Sequence, residues 1–225
     1  MATQLLDLSH QISAGMTTYP GLPGPVIDDH VSFEDSHATY APGTEFQIAR
    51  ITMVANTGTY LDTPAHRYRN GADVADVALD RIAALPGTVI DLPADAGRAF
   101  TPEHIDTSAV AGRAVLLRTG WDRNWRTERY GSADHPYLTA QGAQALADAG
   151  AQLVGIDAVN IDDTAAPEGE RPAHSILLAA GIPVVEHLCL LDQLPRQGFE
   201  FFAVPAKVRG MGTFPVRAFA TLATT

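Results

Sequence analysis

The stretch VANTGTYLDTPAHRY at residues 54–68 places several reactive side chains directly after an apolar segment. Asn56 opens a Gly-containing turn, and Tyr60, Asp62 and His66 follow it. An Asp after a turn most often caps backbone N–H groups. A His, in contrast, has the free pKa that best suits proton transfer near neutral pH. The stretch therefore predicts either a capped turn or a reaction centre, and more distant residues must distinguish the two.

A carboxylate within an apolar segment is the clearest sign of function. Glu186 interrupts the run IPVVEHLCLL, and burial of a carboxylate is costly unless it is paired, hydrogen-bonded or bound to a metal. His174 lies 12 residues earlier, near the start of a predicted helix. A helix followed by a strand can bring His174 back to Glu186. Asp162 and Asp163 also precede this helix, and for them we favour the capping of a loop.

Local patterns predict the elements that position these side chains. Strands are predicted from apolar and β-branched content in QLLDLSHQI, FQIARITMVA, GTVIDL, AVLLRTG, QLVGIDAVNIDD and IPVVEHLCLL. One helix, YLTAQGAQALADAG, has Thr139 as N-cap and Gly150 at its end, and another, PAHSILLAAG, has Pro172 in its first turn and ends at Gly181. Such a succession of elements indicates an α/β or α+β domain with a mixed sheet.

Length and composition narrow the class of protein. The 225 residues, 46% hydrophobic and 18% charged, predict a single folded domain spanning residues 1–225. A formal net charge of -11 argues against a nucleic-acid partner. No apolar run is long enough to span a membrane, and no export signal is evident. Cys189 is the one cysteine of the sequence and lies in an apolar stretch. A single cysteine excludes an intrachain disulfide, and we therefore favour a cytoplasmic location. We expect a small-molecule partner.

Short motifs lie in a characteristic order along the chain. They are Asp7-Leu8-Ser9-His10, Tyr19-Pro20-Gly21, Gly58-Thr59, Asp62-x-Pro64-x-His66, GWDRNW at 120–125, LVGID at 153–157, His174-x-x-Leu-Leu, GIPVVEHL at 181–188 and PVRAFA at 215–220. This order resembles the putative cyclase family, which includes bacterial kynurenine formamidases and isatin hydrolases. The resemblance implies an α/β, swivelling β/β/α fold of one domain, with a mixed, barrel-like sheet flanked by helices, and a homodimer.

The family pattern at the turn is His-x-Gly-Thr-His-x-Asp-x-Pro-x-His. In the family, its two leading histidines and its Asp bind Zn or Mn together with a later His and Glu, and its last His transfers protons. The resemblance therefore implies Asp62, His174 and Glu186 as metal ligands. It implies His66 as a catalytic residue. Asn56 and Tyr60 stand where the family has its two leading histidines.

These two replacements leave the role of a metal open. An amide oxygen is a weak Zn ligand, and a Tyr hydroxyl binds well only after losing a proton from a pKa of about 10. We expect weakened binding of a divalent metal, Zn or Mn, with Asn56 as an additional oxygen ligand. Alternatively, no metal is needed, and Tyr60, Asp62, His66 and Glu186 act as acid/base groups.

Three functions are compatible with these residues. The first is a hydrolase of a small amide, lactam, lactone or formamide, in which His66 carries the proton. The second is a metal-independent cyclase or lyase that uses Tyr60 as a further catalytic group. The third is a non-catalytic binding relative. Tyr19, Trp121 and Trp125 can join Tyr60 in an aromatic wall around a substrate or pack in the core.

Overall fold

The computed structural model describes residues 3–223 as strands and helices around one large sheet. The strands are β1 (Thr3–Asp7), β2 (Val26–Val31), β3 (Ile48–Thr52), β4 (Tyr60–Asp62), β5 (Leu85–Asp91), β6 (Ala99–Phe100), β7 (Ala114–Arg118), β8 (Tyr137–Leu138), β9 (Leu153–Ile156), β10 (Val184–Glu186), β11 (Gln197–Phe202), β12 (Thr213–Pro215) and β13 (Phe219–Ala223). The α-helices are α1 (Phe33–Thr39), α2 (Pro64–Arg67), α3 (Ala140–Asp148) and α4 (Pro172–Ala179). Short 3-10 helices cover Leu79–Arg81, Pro102–His104, Thr107–Ala109, Trp121–Asn124 and Leu191–Gln193.

A nine-stranded mixed sheet forms the centre, in the order β1-β13-β11-β5-β7-β9-β10-β4-β12. The strands from β5 to β10 in this order run parallel, and β4 joins β10 antiparallel. Parallel strands are usually covered on both faces, and here one core packs Leu146 and Leu177 against the sheet while another contains Leu116 and Phe201. The predicted α/β fold with a mixed sheet and flanking helices is confirmed.

The two predicted helices lie where the caps indicate. The Thr139 side chain accepts a hydrogen bond from Gly142 N at 3.0 Å, which caps α3. Gly150 follows this helix with φ +80°, the left-handed region that favours glycine. Helix α4 begins at Pro172, as predicted, and Gly181 follows its end with φ +70°. These two helices pack against each other and cover one face of the sheet.

Several strands are shorter than the sequence predicts, since FQIARITMVA is a strand only over Ile48–Thr52 and QLVGIDAVNIDD only over Leu153–Ile156. The run IPVVEHLCLL is a strand only over Val184–Glu186, because His187 and Leu190 both adopt left-handed backbone, each with φ 57°. A strand cannot continue through such residues. The first predicted strand ends at Asp7, and beyond it Ser9 makes only an isolated bridge to Leu188.

Strands β2 and β3 form a separate two-stranded sheet. We call this sheet and α1, which together span residues 26–52, the arm. An isolated two-stranded hairpin is marginally stable in water. The arm nevertheless exposes large apolar side chains, namely Val26, Ile27, Phe33, Tyr40, Ile48 and Ile51, each at least 44% exposed. Ile27 and Ile51 are directly paired across the two strands. Over residues 3–223, none of the helices has the length and apolar character to cross a membrane.

Candidate active site

The pairing of β4 with β10 brings the two halves of the site together. Tyr60 lies opposite Glu186, and Asp62 lies opposite Val184. Every residue of β4 is buried between β10 and β12. Helix α2 starts two residues after Asp62, with Pro64 in its first turn, where the missing N–H of proline is tolerated. The single turn of α2 places His66 beside Asp62, with 3.4 Å between Nδ1 and Oδ1.

A cavity of about 680 Å³ opens over these residues. Its lining includes most of the predicted site residues, namely Asn56, Tyr60, His66, His174 and Glu186. Asp62 is fully buried, and its Oδ2 lies 3.5 Å from Nε2 of His174. The structure therefore gathers the residues that the sequence singled out. Their predicted division into catalytic residues and metal ligands stays a prediction.

The predicted aromatic wall is only partly at the cavity. Tyr19 and Tyr60 line it. Trp121 packs in the core and donates a hydrogen bond from Nε1 to the carbonyl of Tyr130. Trp125 stacks on His10, with 3.9 Å between the ring centroids and 5° between the ring planes. The two tryptophans thus follow the packing alternative.

His66 is oriented by a hydroxyl that the sequence did not single out. Thr213 Oγ1 donates to Oδ1 of the buried Asp62 carboxylate, and Nδ1 of His66 lies 2.7 Å from the same hydroxyl oxygen. Because the Thr213 proton is directed at Asp62, His66 must donate its own Nδ1–H to Thr213. Nε2 then carries the lone pair. His66 is 35% exposed and lines the cavity, so this arrangement suits a proton acceptor.

His174 is held by the residue that caps its helix. Asp162, which we expected to cap a loop, instead accepts backbone hydrogen bonds from the first turn of α4, from Ala173 N at 2.6 Å and His174 N at 3.1 Å, and its Oδ2 also lies 2.6 Å from Nδ1 of His174. Burial lowers the pKa of His174, but the carboxylates of Glu186, Asp162 and Asp62 outweigh burial and raise that pKa well above its ordinary value. The site therefore favours positive charge at the His174 ring.

Two buried atoms make this place suitable for a cation. Among residues 3–223, neither Asp62 Oδ2 nor His174 Nε2 has a hydrogen-bond partner. Asp62, His66 and His174 each offer one ligand atom, and these three atoms lie within 4.8 Å of one another. The bond from His174 Nδ1 to Asp162 is the one that metal-bound histidines commonly make. The residues present therefore fit a divalent cation, and they would equally suit a proton on His174.

Tyr60 is a hydrogen-bond donor at a position where the putative cyclase family pattern has a metal-binding histidine. Its hydroxyl donates to Glu186 Oε2 at 2.6 Å, while Ile161 N donates to Oε1 at 2.6 Å. Burial raises the pKa of Tyr60 well above its usual value, and the charges of Glu186 and Asp62 raise it further. Burial also raises the pKa of Glu186 to about 7, against the opposing charge of His174. Tyr60 is therefore a neutral phenol.

A second buried His, which the sequence did not single out, reaches Tyr60 from behind the cavity. His187 Nε2 lies 3.3 Å from the Tyr60 hydroxyl, and His187 Nδ1 lies 2.8 Å from the hydroxyl of Tyr130. Burial lowers the pKa of His187 to about 3, so its ring is neutral. The only sequence signal was a second polar residue beside Glu186 in an apolar run.

Two glycines let other segments approach α2 closely. A Cβ at Gly212 would lie 2.4 Å from the backbone nitrogen of His66, and a Cβ at Gly71 would lie 2.5 Å from the carbonyl carbon of Pro64. The carbonyl of Gly212 also accepts two hydrogen bonds from Thr63, at 2.8 Å from N and 2.9 Å from Oγ1. This backbone packing fixes the start of α2 and hence the position of His66.

The fold and the site together define a single-domain α/β protein with a buried acid–base cluster under a cavity. The chain belongs to the putative cyclase family, whose model matches residues 6–163. It is 30% identical to the kynurenine formamidase of Salinibacter ruber over 215 residues, which cover 95% of each chain. It is also 30% identical to the kynurenine formamidase of Paracidovorax citrulli over 217 residues, which cover 95% of this chain and 94% of the other.

Solved structures support the same fold. Isatin hydrolase A from Labrenzia aggregata, bound to benzyl benzoate, superposes with a TM-score of 0.83 at 22% identity and covers 99% of this chain and 94% of its own. A protein described as a potential metal-dependent hydrolase with cyclase activity has a TM-score of 0.78 at 26% identity, with full coverage of both chains. The expected family membership is confirmed.

Proposed function

We propose that this protein is a hydrolase of the cyclase family that opens an amide or formamide bond of a small molecule. The similarity to kynurenine formamidases over the whole chain supports this class of reaction. The observation that carries the proposal is the chain from Asp62 through Thr213 to His66, which leaves His66 Nε2 as a proton acceptor at the cavity.

The chemistry follows from the position of His66. Its Nε2 takes a proton from water as the water oxygen attacks the carbonyl carbon of the substrate. The same proton then passes to the leaving nitrogen, and the C–N bond breaks to give a carboxylic acid and an amine. A formamide yields formate in this way, and a lactam yields one ring-opened amino acid. The neutral Tyr60, which also lines the cavity, acts as a second catalytic group that donates a hydrogen bond to the developing oxyanion.

We further propose that Asp62 and His174 hold a divalent metal, Zn or Mn, with Glu186 and Asn56 as additional ligands. Support comes from the two unpartnered buried atoms of Asp62 and His174. It also comes from a relative of 26% identity that is described as a potential metal-dependent hydrolase. A divalent cation would supply Lewis-acid polarisation of the substrate carbonyl.

One observation favours the metal-independent alternative, a cyclase or lyase that uses acid/base groups alone. The hydrogen bond from Tyr60 to Glu186 satisfies a carboxylate oxygen without any cation. Elemental analysis of protein purified without chelator distinguishes the two proposals. Stoichiometric Zn or Mn, and loss of turnover on dialysis against a chelator, would support the metal centre. Turnover that persists in metal-free protein would favour the acid/base site.

Formanilide and isatin are suitable probes of hydrolysis, because one is an aryl formamide and the other a cyclic amide. The expected result is hydrolysis of at least one probe by the natural protein and loss of at least about 100-fold in kcat in His66→Ala. His104→Ala is the matched control, since His104 lies outside both the cavity and the arm. Equal turnover by His66→Ala would remove His66 from the mechanism.

We also propose that the protein is a cytoplasmic homodimer in which a second copy covers the arm. The exposed apolar side chains of β2 and β3, among them Ile27 and Ile51, support this proposal. Both ends of the arm adjoin the cavity, because Leu22 precedes it, Asn56 follows it, and both residues line the cavity. The buried free thiol of Cys189 suits the reducing cytoplasm.

Light scattering after gel filtration tests the homodimer. Ile27→Lys and Ile51→Lys place charges at the paired positions on the arm and should give monomers. Leu79→Lys is the control, because Leu79 is 66% exposed and lies outside the arm. A monomeric natural protein, or a dimer that survives both arm substitutions, would contradict this interface.

A further inference from the structure

We propose that His187 and Tyr130 are positioning residues that fix the direction of the Tyr60 hydroxyl. This inference rests on the proposed role of Tyr60 in hydrolysis. His187, Tyr130 and Tyr60 are buried, and their rings lie 5.0 Å and 5.7 Å apart between neighbouring centroids, with His187 in the middle. Neither His187 nor Tyr130 lines the cavity that contains Tyr60. Both therefore act on the reaction only through Tyr60.

The distances indicate a direction for each hydrogen bond. The Tyr60 hydroxyl has one proton and two neighbours, Glu186 Oε2 at 2.6 Å and His187 Nε2 at 3.3 Å. When Glu186 is ionised, its Oε2 has no proton and, as the closer neighbour, accepts the proton of Tyr60. Nε2 of His187 must then be the donor to the Tyr60 oxygen, because two facing lone pairs would repel each other.

The tautomer of His187 follows from this assignment. A neutral imidazole with a proton on Nε2 has a lone pair on Nδ1. The Tyr130 hydroxyl lies 2.8 Å from Nδ1 and therefore donates to it. Tyr130, His187 and Tyr60 thus form a one-way series of donors that ends at Glu186. Within residues 3–223, the hydroxyl of Tyr130 makes no other hydrogen bond that would reverse the order.

The backbone of His187 is left-handed and is anchored by hydrogen bonds on both sides. His187 has φ 57°, a left-handed conformation that is uncommon for residues other than glycine but is adopted more often by Asn, Asp and His than by most others. Its backbone is anchored on both sides, by His187 N to Ala158 O at 3.2 Å and by Thr59 Oγ1 to His187 O at 2.6 Å. Side-chain substitutions here should leave the backbone in place.

The consequence concerns how Tyr60 can act. Because the N–H of His187 occupies one side of the Tyr60 oxygen, the phenol proton lies on the other side, where Glu186 and the cavity adjoin it. When the substrate oxygen gains negative charge, the phenol proton is the only one that must change partner. The series of donors from Tyr130 onwards would strengthen Tyr60 as a donor at that moment.

A first test needs no substrate. Long-range proton–nitrogen NMR of protein labelled with nitrogen-15 at histidine reports the tautomer of each ring, and His187→Asn assigns the His187 signal. The expected result is a neutral ring protonated at Nε2. Tyr130→Phe removes only one oxygen and should release the ring into a mixture of tautomers. A ring protonated at Nδ1, or unchanged in Tyr130→Phe, would overturn the proposal.

A double-mutant cycle on formanilide or isatin hydrolysis is the second test. His187→Asn suits the left-handed backbone but cannot reach Tyr60, whereas His187→Gln keeps an N–H donor near the Nε2 position. We expect His187→Asn to lower kcat about fivefold to tenfold with KM little changed, and His187→Gln to restore most of it. On a Tyr60→Phe background, His187→Asn should have less than about a twofold effect.

The two tests separate the possible failures. Independent, multiplicative effects of His187→Asn and Tyr60→Phe on kcat would show that His187 is merely structural and would overturn the proposal. If the natural protein hydrolyses neither probe, the proposed function fails, but the NMR experiment still decides whether the donor series exists.

Discussion

Substitution of Thr213 is the sharpest test of how His66 is oriented. Thr213→Val replaces a hydroxyl by a methyl group of similar size. The Asp62 carboxylate beneath it is fully buried, and one of its oxygens has no hydrogen-bond partner within residues 3–223. Removal of the Thr213 hydroxyl takes the side-chain donor from its other oxygen. It also removes the group that holds Nδ1 of His66.

The expected magnitude follows from these contacts. A hydrogen bond to a charged group contributes about 1.5–3 kcal/mol, so the free energy of unfolding should fall by about that amount. For a chain of this size the change corresponds to roughly 3–12 °C in Tm. If the same energy is lost from the orientation of His66 in the transition state, kcat falls by about ten- to hundredfold.

Thermal unfolding and steady-state hydrolysis of formanilide or isatin measure the two effects. Thr213→Ser is the matched control, because it keeps the hydroxyl and loses only a methyl group. We expect Ser to retain kcat within about threefold, since the hydrogen bonds persist. Equal kcat values for the Val and Ser variants would refute the assignment of Thr213 as the group that orients His66.

Three further predictions follow from other parts of the site. Asn56→His combined with Tyr60→His should raise Zn affinity strongly in a competition titration with a chelator, because imidazole nitrogen is a better Zn ligand than an amide or a phenol; equal affinity of the natural protein would contradict this account. Glu186→Leu leaves two buried donors unpaired and should lower the free energy of unfolding by about 2–4 kcal/mol in urea denaturation, whereas a neutral effect would show that both donors find other partners. Burial, with a contribution from Arg126, lowers the pKa of His10 from 6.5 to about 4, so unfolding takes up a proton in this range, and the free energy of unfolding falls as pH drops from 6.5 towards 4, by at most about 1.4 kcal/mol per pH unit. His10→Phe should remove this contribution to the pH dependence of the free energy of unfolding, measured by denaturation across the range. An unchanged pH dependence would show that His10 is not its source.

The parts of the fold and site that sequence could predict are those with local signals. Thr139 and Pro172 mark helix starts because capping depends on a few adjacent residues. Asp62 ends β4 and His66 follows only four residues later on the single turn of α2, so their proximity is also local. The strands of the sheet interior were visible because buried parallel strands are continuously apolar. Glu186 was visible as a carboxylate in an apolar run, and family resemblance assigned a role to it and to His174; the structure brings both to the same cavity.

The features that sequence did not predict depend on distant contacts. Thr213 is 147 residues from His66, and an isolated Thr in a strand carries no sign of such a partner. The second role of Asp162, as partner of the His174 ring, was hidden behind its ordinary role as a cap. The end of β10 at His187 was missed because an apolar run continues past it, while tertiary hydrogen bonds hold the residue left-handed.

The close backbone packing around α2 has a consequence for how substrate range can change. Gly71 and Gly212 leave no space for a side chain against Pro64 and His66, so mutations there would displace the proton carrier. Another part of the cavity rim is formed by exposed residues of a loop, among them Glu168. Loops tolerate substitution and insertion far better than packed elements. Natural drift and laboratory evolution should therefore diversify the rim while the α2 side stays constant, and libraries for new substrates are best directed at the rim.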